Sequence, residues 1–134
     1  VEAIKYLNDR NYYVFVVSNQ SGIGRGYYTT KDVENLHKWF KSILINNGAF
    51  LDDIFYAPYY RKSKKYFFRK GSFLRKPNIG MINKAKKKWN IDIKKSYVIG
   101  DSDVDKNLAR NAKLKYLPVN NNSNLLSIVK KICE

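Results

Sequence analysis

The alternation of apolar runs with amphipathic segments constrains this chain more than any other feature. Apolar runs bounded by polar residues predict four strands, at Tyr13–Ser18, Asp53–Ala57, Ser96–Gly100 and Lys115–Val119. Segments with apolar residues at helical spacing separate these runs. Strands that alternate with helices are typical of a parallel sheet with helices on both faces. The sequence therefore predicts a three-layer, Rossmann-like α/β fold that forms one domain over residues 1–134.

Capping residues and glycine mark the ends of the predicted helices. Thr29 or Thr30 can cap the helix that follows, with Asp32 placed for a capping box with Thr29, and Asn47-Gly48 ends that helix. Its predicted apolar stripe is Val33, Leu36, Phe40 and Leu44. The other predicted helices are Val1–Asn8, Pro77–Trp89 with Met81, Ile82, Ala85 and Trp89 on its inner face, Asp103–Ala112 and Ser123–Ile132. The predicted connectors are Asn19–Tyr28, Pro58–Lys76 and Asn120–Asn124.

Composition excludes several classes of protein. With 44% hydrophobic residues the chain is too apolar to be disordered, and no apolar run approaches the roughly 20 residues of a membrane span. No secretory signal opens the chain and Cys133 is its single cysteine, so we expect a cytoplasmic protein without an internal disulfide. The net charge of +15 indicates an anionic partner or a compositional bias, and we favour the bias because Lys, Asn, Ile and Tyr are abundant throughout.

Ligand sites in parallel sheets lie at the carboxyl ends of the strands, and three polar segments follow predicted strands here. The first is Ser18–Gly26, SNQSGIGRG, whose hydroxyls, amides and glycines suit a phosphate. Arg25 could add a charge-assisted contact. An ordinary strand-to-helix loop explains the same residues equally well.

The other two segments carry charge. Arg75 and Lys76 precede a predicted helix N-terminus, where an anion could bind, although a solvated basic turn is the simpler interpretation. Asp101, Asp103 and Asp105 follow the third strand and could bind magnesium, while Asp103 could instead cap the next helix. Taken together, the three segments predict a phosphoryl-transfer site that lacks only a nucleophile.

Three motifs resemble the haloacid dehalogenase (HAD) superfamily, and within it the histidinol-phosphatase-like branch. They are VVSNQSGIGRGYYT, RKPNIGMINKA and SYVIGDSDVD, which match the second, third and fourth motifs of that branch. Among its members, the sugar-bisphosphate phosphatases are most similar. The resemblance implies a magnesium-dependent phosphatase in which an aspartyl-phosphate forms and is hydrolysed.

The resemblance also implies a role for each matching residue. Ser18 and Lys76 would act on the transferring phosphoryl group, and Arg75 would contact another part of the substrate. Asp101 would ligate magnesium, and Asp105 would pair with Lys76 or support the metal site. The remaining substrate-binding positions are Asn19, Gln20, Ser21 and Arg25.

The family's opening Asp-x-Asp motif, which supplies the nucleophile, has no match. The earliest acids, Glu2 and Asp9, flank a helix ahead of the first strand, and the chain begins with Val instead of Met. We therefore expect the nucleophile on an upstream strand, the central one in the implied order 5-4-1-2-3. Without it, Tyr13–Ser18 and Ser96–Gly100 would each lack a partner unless they pair directly, so we expect marginal stability and no activity from these residues alone.

Two further departures concern the substrate and the metals. The branch often binds zinc at positions that would be Ala57, Tyr59, Ser72 and Leu74, none of which is a zinc ligand, so no zinc is expected. We expect the loop to be held instead by packing of Tyr59, Tyr60, Phe67, Phe68 and Phe73. Many members have Lys where this chain has Ser102. His37 is predicted to be a surface or boundary residue.

Two alternatives to a sugar-phosphate phosphatase stay open. Histidinol phosphate or a polynucleotide 3′-phosphate would suit the same site. The stretch Arg61–Lys76 interleaves cations with aromatic residues and could bind nucleic acid. We favour a solvated loop with its aromatic residues packed beneath it, and so do not expect nucleic acid or a membrane as a partner. A monomer is expected.

Overall fold

The structure is a computed structural model that describes residues 1–120, 122 and 124–133. Four strands alternate with six helices. The strands are β1 (Phe15–Asn19), β2 (Asp53–Ala57), β3 (Tyr97–Gly100) and β4 (Lys115–Pro118). The helices are α1 (Glu2–Asp9), α2 (Ser21–Arg25), α3 (Thr30–Asn46), α4 (Gly80–Lys88), α5 (Asp103–Ala112) and α6 (Leu125–Ile132), and single 3₁₀ turns lie at Tyr66–Arg69, Ser72–Leu74 and Ile93–Lys95. None of the described helices is both long and apolar enough to cross a membrane.

The four strands form two separate parallel pairs. β1 pairs with β2, and β3 pairs with β4. These are the neighbours that the implied strand order requires on either side of a missing central strand. β1 and β3 do not close up and pair with each other. A cavity of about 730 Å³ lies between them, with Val14–Val17 on one wall and Tyr97–Gly100 on the other.

Helices cover both faces of these strand pairs. On one face, Val16 and Ile54 pack with Leu44 of α3 and with Ile4 of α1. On the other, Val17 and Val98 pack with Leu108 of α5 and Ile82 of α4. Because neighbouring residues of a strand point to opposite faces, Val16 and Val17 join different cores. The predicted three-layer α/β fold is therefore present.

Helix α3 begins where the sequence predicts, but the apolar residues that it buries are only partly the predicted ones. The Thr29 side chain accepts a hydrogen bond from the Asp32 backbone and the Asp32 carboxylate accepts one from the Thr29 backbone, which completes the capping box. Val33 and Leu44 are buried as expected. The prediction was wrong for Leu36 and Phe40, which are exposed, because the face toward the strands is centred on Val33, His37 and Leu44.

Several boundaries differ from the prediction. The connector Asn19–Tyr28 contains α2, a helical turn. Helix α4 begins at Gly80, so Pro77 and the two cations before it lie in the loop that leads to the helix. Ser102, not Asp103, caps α5 through a hydrogen bond from the Asp105 backbone. The last helix begins at Leu125, and Ser123 lies outside the described residues.

Candidate active site

One side chain links the carboxyl end of β1 to Lys76, at the end of the long connector that follows β2. The Asn19 amide accepts a hydrogen bond from the Lys76 backbone N–H at 2.9 Å and donates one to the Lys76 carbonyl at 3.2 Å. The two residues are 57 positions apart in the sequence. Because both polar groups of the amide bind the Lys76 backbone, Asn19 positions Lys76 and keeps one amide N–H for a ligand.

Lys76 forms an ion pair with the first turn of α5. Its Nζ lies 2.8 Å from Asp105 Oδ1, and the two side chains are only 15% and 12% exposed. The Ser102 hydroxyl donates to the second oxygen, Oδ2, at 3.0 Å. A Cβ at Gly100 would lie 2.5 Å from the Asp105 side chain, so glycine at the end of β3 leaves the space that this carboxylate fills.

The environment of Asp105 keeps it ionised. Burial acts to raise its pKa, but hydrogen bonds from Lys76 and Ser102 and the positive charge of Lys76 outweigh burial and lower the pKa. A fixed carboxylate beside Lys76 orients the ammonium group. Since an ammonium group has three N–H donors, Lys76 keeps donors for a second anion.

A second chain of hydrogen bonds orients Ser18. The Tyr28 hydroxyl donates to Gln20 Oε1 at 2.7 Å, and Gln20 Nε2 donates to Ser18 Oγ at 2.8 Å. Because Ser18 Oγ accepts this bond, its own proton is available to a ligand. The Tyr28 ring lies so close to Gly22 that a Cβ there would come within 2.2 Å of it.

The cavity between β1 and β3 reaches this end of the strands. Lys76, Gly100, Asp101 and Asp105 contribute to its lining. Asp101 is exposed, and no hydrogen bond or ion pair from a described residue engages its carboxylate. Asp105, in contrast, is occupied by Lys76 and Ser102. Asp101 is thus the carboxylate at this end of the cavity with oxygens available to a cation.

Metal binding by the protein alone is limited. No group of three or more His, Cys, Asp or Glu side chains that could hold a metal occurs within the described ranges. A cation at Asp101 would therefore need further oxygens from water or a phosphorylated substrate, which is how magnesium is usually held. Ala57, Tyr59, Ser72 and Leu74 offer no set of zinc ligands.

Other predicted site residues have different surroundings. Arg75 Nη1 is buried and has no hydrogen-bond partner in the described part of the chain, an unusual state for a cationic group. Arg25 is exposed, with its guanidinium carbon 4.2 Å from the centre of the Tyr60 ring. Ser21 is the first residue of α2. Asp103 is exposed in the first turn of α5.

Sequence reasoning missed two residues of the site, Ser102 and Tyr28. Ser102 is spaced from Asp105 as in a capping box, so the sequence did contain a signal for their contact. Tyr28 had no such signal, because its hydroxyl reaches Gln20 only when α2 folds the chain back on itself.

Known proteins match this chain over the region that contains the three motifs. A family model described as polynucleotide kinase 3 phosphatase matches residues 1–120. The D-glycero-beta-D-manno-heptose-1,7-bisphosphate 7-phosphatase of Rhodopseudomonas palustris is 40% identical over 110 residues, which are 82% of this chain and 61% of that protein. The enzyme of the same name from Escherichia coli is 34% identical over 119 residues, 87% of this chain and 62% of that protein. The chain thus spans about three fifths of the length of these relatives.

Solved structures share the fold. A protein from Mesorhizobium loti described as a HAD-like phosphatase is 27% identical, with a TM-score of 0.85 over 97% of this chain and 70% of that chain. The D,D-heptose 1,7-bisphosphate phosphatase of B. bronchiseptica, solved with magnesium and phosphate, is 20% identical. Its TM-score is 0.77 over 98% of this chain and 80% of that chain. The fold is therefore that of HAD-like phosphatases.

Proposed function

This chain belongs to the polynucleotide kinase 3 phosphatase family, and we propose that it forms the phosphate- and magnesium-binding part of a sugar-bisphosphate phosphatase. The proposed substrate is D-glycero-D-manno-heptose 1,7-bisphosphate, which the names of the relatives support. One observation carries the proposal. The oriented cation Lys76 and the unengaged carboxylate Asp101 line the same cavity at the carboxyl ends of the strands.

Three side chains would hold the substrate. Lys76, fixed by Asp105, would donate to oxygens of the transferring phosphoryl group, and Ser18 would donate its free proton to the same group. Arg75 would bind the second phosphate, because its buried and unpaired Nη1 gains a partner when an anion binds. Lys76 and Ser18 are held in place by their neighbours before the substrate arrives.

Magnesium is the cation that suits this set of residues. Asp101 and phosphate oxygens of the substrate would hold the magnesium ion, which supplies positive charge next to the phosphoryl group. The B. bronchiseptica structure, with magnesium and phosphate bound to the same fold, supports this part of the proposal.

The covalent step requires a carboxylate that is not engaged elsewhere. We propose an aspartate on a strand that lies between β1 and β3, outside residues 1–134. Its oxygen would attack phosphorus as the phosphorus–oxygen bond to the sugar breaks, and the sugar oxygen would take up a proton from the second aspartate of the Asp-x-Asp motif. Water would then give a proton back to that second aspartate, attack phosphorus, and release inorganic phosphate and the first aspartate. The open gap between the strands supports this placement, and residues 1–134 alone would then be inactive.

A second candidate substrate is a polynucleotide 3′-phosphate. The description of the matching family favours it, and the same phosphate donors would serve. Histidinol phosphate is a third. The three substrates differ in what surrounds the phosphate, so a direct survey separates them.

The test uses this chain joined to the segment that precedes the matched region in the Rhodopseudomonas palustris relative. We expect magnesium-dependent phosphate release from heptose 1,7-bisphosphate that exceeds release from histidinol phosphate and from a 3′-phosphorylated oligonucleotide. No release from any of the three would overturn the phosphatase proposal, and preference for another one would reassign the substrate.

Variants of the same extended chain test the assigned roles. Lys76→Ala and Asp101→Asn should each lower kcat/KM at least about a thousandfold, as for loss of a key electrostatic contact. Lys38→Ala and Asp103→Asn, two exposed positions, serve as matched controls and should retain most activity. Full activity in Lys76→Ala would contradict its role even if the substrate were correct.

A further inference from the structure

The loop between β2 and Lys76 has an extreme charge distribution. Between Asp53 and Asp92 there is no acidic residue, and twelve Lys and Arg residues occur there, eight of them in the loop at Arg61–Lys76 and four on α4. The other fourteen cations share the rest of the chain with all eleven acidic residues. The positive charge is thus concentrated in one segment, which general enrichment in Lys does not explain. Loops of this length in compact domains are usually functional.

Part of this loop is a well-defined turn, residues 61–70, which we name the basic turn. Ser63 is buried and its backbone N–H donates to the Tyr60 carbonyl at 3.1 Å. The Tyr60 N–H donates to the Phe68 carbonyl at 3.0 Å, and the Arg69 guanidinium donates to the Ser63 carbonyl. These bonds hold the exposed side chains of the turn on a fixed backbone.

Two of the three aromatic rings of the basic turn, Tyr66 and Phe67, face water instead of packing beneath it, while Phe68 is partly buried and lies edge-on to Phe67. Phe67 is 77% exposed and Tyr66 is 65% exposed, so the expected packing of Phe67 under the loop was wrong. Phe73, in the next 3₁₀ turn, is also exposed. The cations Arg61, Lys62, Lys64, Lys65 and Lys70 are exposed around the rings, and Lys70 Nζ lies 4.6 Å from the centre of the Tyr66 ring.

We propose that the basic turn binds single-stranded nucleic acid, with Tyr66 and Phe67 stacking on bases and the surrounding Lys and Arg contacting phosphates. Protruding rings among cations are the combination that sequence-tolerant single-strand binding uses. A lipid surface fits less well, because membrane-surface binding typically uses an amphipathic helix with a broad apolar face, and this turn presents two rings. The proposal uses neither Lys76 nor Asp101, so its test is independent of the test of the proposed phosphatase activity.

The test measures binding of a fluorescein-labelled oligothymidylate of twelve nucleotides to the extended chain by fluorescence anisotropy, over a series of salt concentrations. We expect binding that weakens steeply with salt. Phe67→Ala should weaken it about tenfold at every salt concentration, as the loss of one stacked base does, while Phe67→Trp should preserve it. The double variant Lys64→Gln/Lys65→Gln should reduce the slope of log K against log salt by roughly 1.4, for two lost phosphate contacts.

Matched variants elsewhere distinguish a site from diffuse charge. Trp39→Ala removes an aromatic side chain that is 60% exposed on α3, and Lys130→Gln/Lys131→Gln removes two cations from α6. Both should leave the affinity and the contribution of Phe67 unchanged. Three results would overturn the proposal: no binding at 50 mM salt, equal losses in the control variants, or tighter binding to phosphatidylserine vesicles than to the oligonucleotide. Circular dichroism of each variant confirms that it is folded.

Discussion

Asn19 and Gln20 are adjacent amides that act on different residues. Asn19 uses both polar groups to hold the Lys76 backbone, and Gln20 links Tyr28 to Ser18. Each amide also keeps one N–H donor, so the direct substrate contacts that the resemblance implies stay a prediction. In this site the residues that could touch phosphate are fixed by neighbours that act through hydrogen bonds.

The bond from Tyr28 to Gln20 can be removed without changing the size of the ring. In the extended chain, Tyr28→Phe should leave Gln20 free to rotate and so weaken the orientation of Ser18. We expect KM to rise by roughly two- to tenfold, the equivalent of one net hydrogen bond, with a smaller change in kcat. Steady-state kinetics measures this. Tyr27→Phe, at the exposed neighbouring position, is the control. An equal KM in the two variants would show that the hydrogen bonds from Tyr28 through Gln20 do not orient Ser18.

The ion pair of Asp105 predicts a pH dependence of stability. Because its pKa is lowered in the folded state, the carboxylate stabilises the fold above its ordinary pKa of about 4, and that contribution is lost as the pH falls through the lowered value. At pH 7, Asp105→Asn should therefore lower the free energy of unfolding by about 3 kcal/mol, since Lys76 keeps its charge without a partner.

Urea unfolding of the wild type and of Asp105→Asn across the acid range checks this expectation. The difference in their free energies of unfolding should shrink below pH 4. Asp103→Asn, exposed in the same helical turn, should change stability little at any pH. A constant difference between wild type and Asp105→Asn from pH 7 to pH 3 would show that the ion pair is not its source.

Helix α3 is the longest element, and its first turn depends on a local signal. The capping box between Thr29 and Asp32 is complete, and its hydrogen bonds lower the pKa of Asp32. Thr29→Ala should lower the free energy of unfolding by about 1 kcal/mol. Thr30→Ala, one residue into the helix, lacks this role and should have a smaller effect in the same chemical denaturation experiment. Equal losses would mean that the cap contributes nothing specific.

The whole molecule consists of two strand pairs that share helical layers but no strand pairing. The cavity of about 730 Å³ separates them, and the backbone edges of β1 and β3 that face it have no strand partner among the described residues. Unpaired edges of this kind are costly in an interior and prone to association.

Hydrogen exchange tests whether a strand fills this gap. In the chain extended with the segment from the Rhodopseudomonas palustris relative, amides of β1 and β3 that face the cavity should exchange much more slowly than in residues 1–134. Amides of β1 that bond to β2 should change less, because that pairing is already present. Unchanged exchange at the cavity edges would contradict the proposed position of the nucleophile strand.

Local features of the sequence predicted most of the elements. The strands β1 to β4, the helices α1, α3 and α5 and the capping box of Thr29 follow from periodicity and end signals, within a few residues. Prediction failed where local signals compete. Pro77 suits the first turn of a helix, yet α4 begins three residues later at Gly80, and Asn19–Tyr28 reads as a loop but holds α2.

The sequence by itself determined the α/β class and the three polar segments at the carboxyl ends of the strands. Those properties depend on the spacing of apolar residues, which is a local quantity. Only the tertiary structure decided that Asn19 binds the Lys76 backbone, that Asp105 pairs with Lys76, that β1 and β3 stay apart, and that Tyr66 and Phe67 face water. Each of these depends on how distant segments pack, and spacing along the chain holds no information about that.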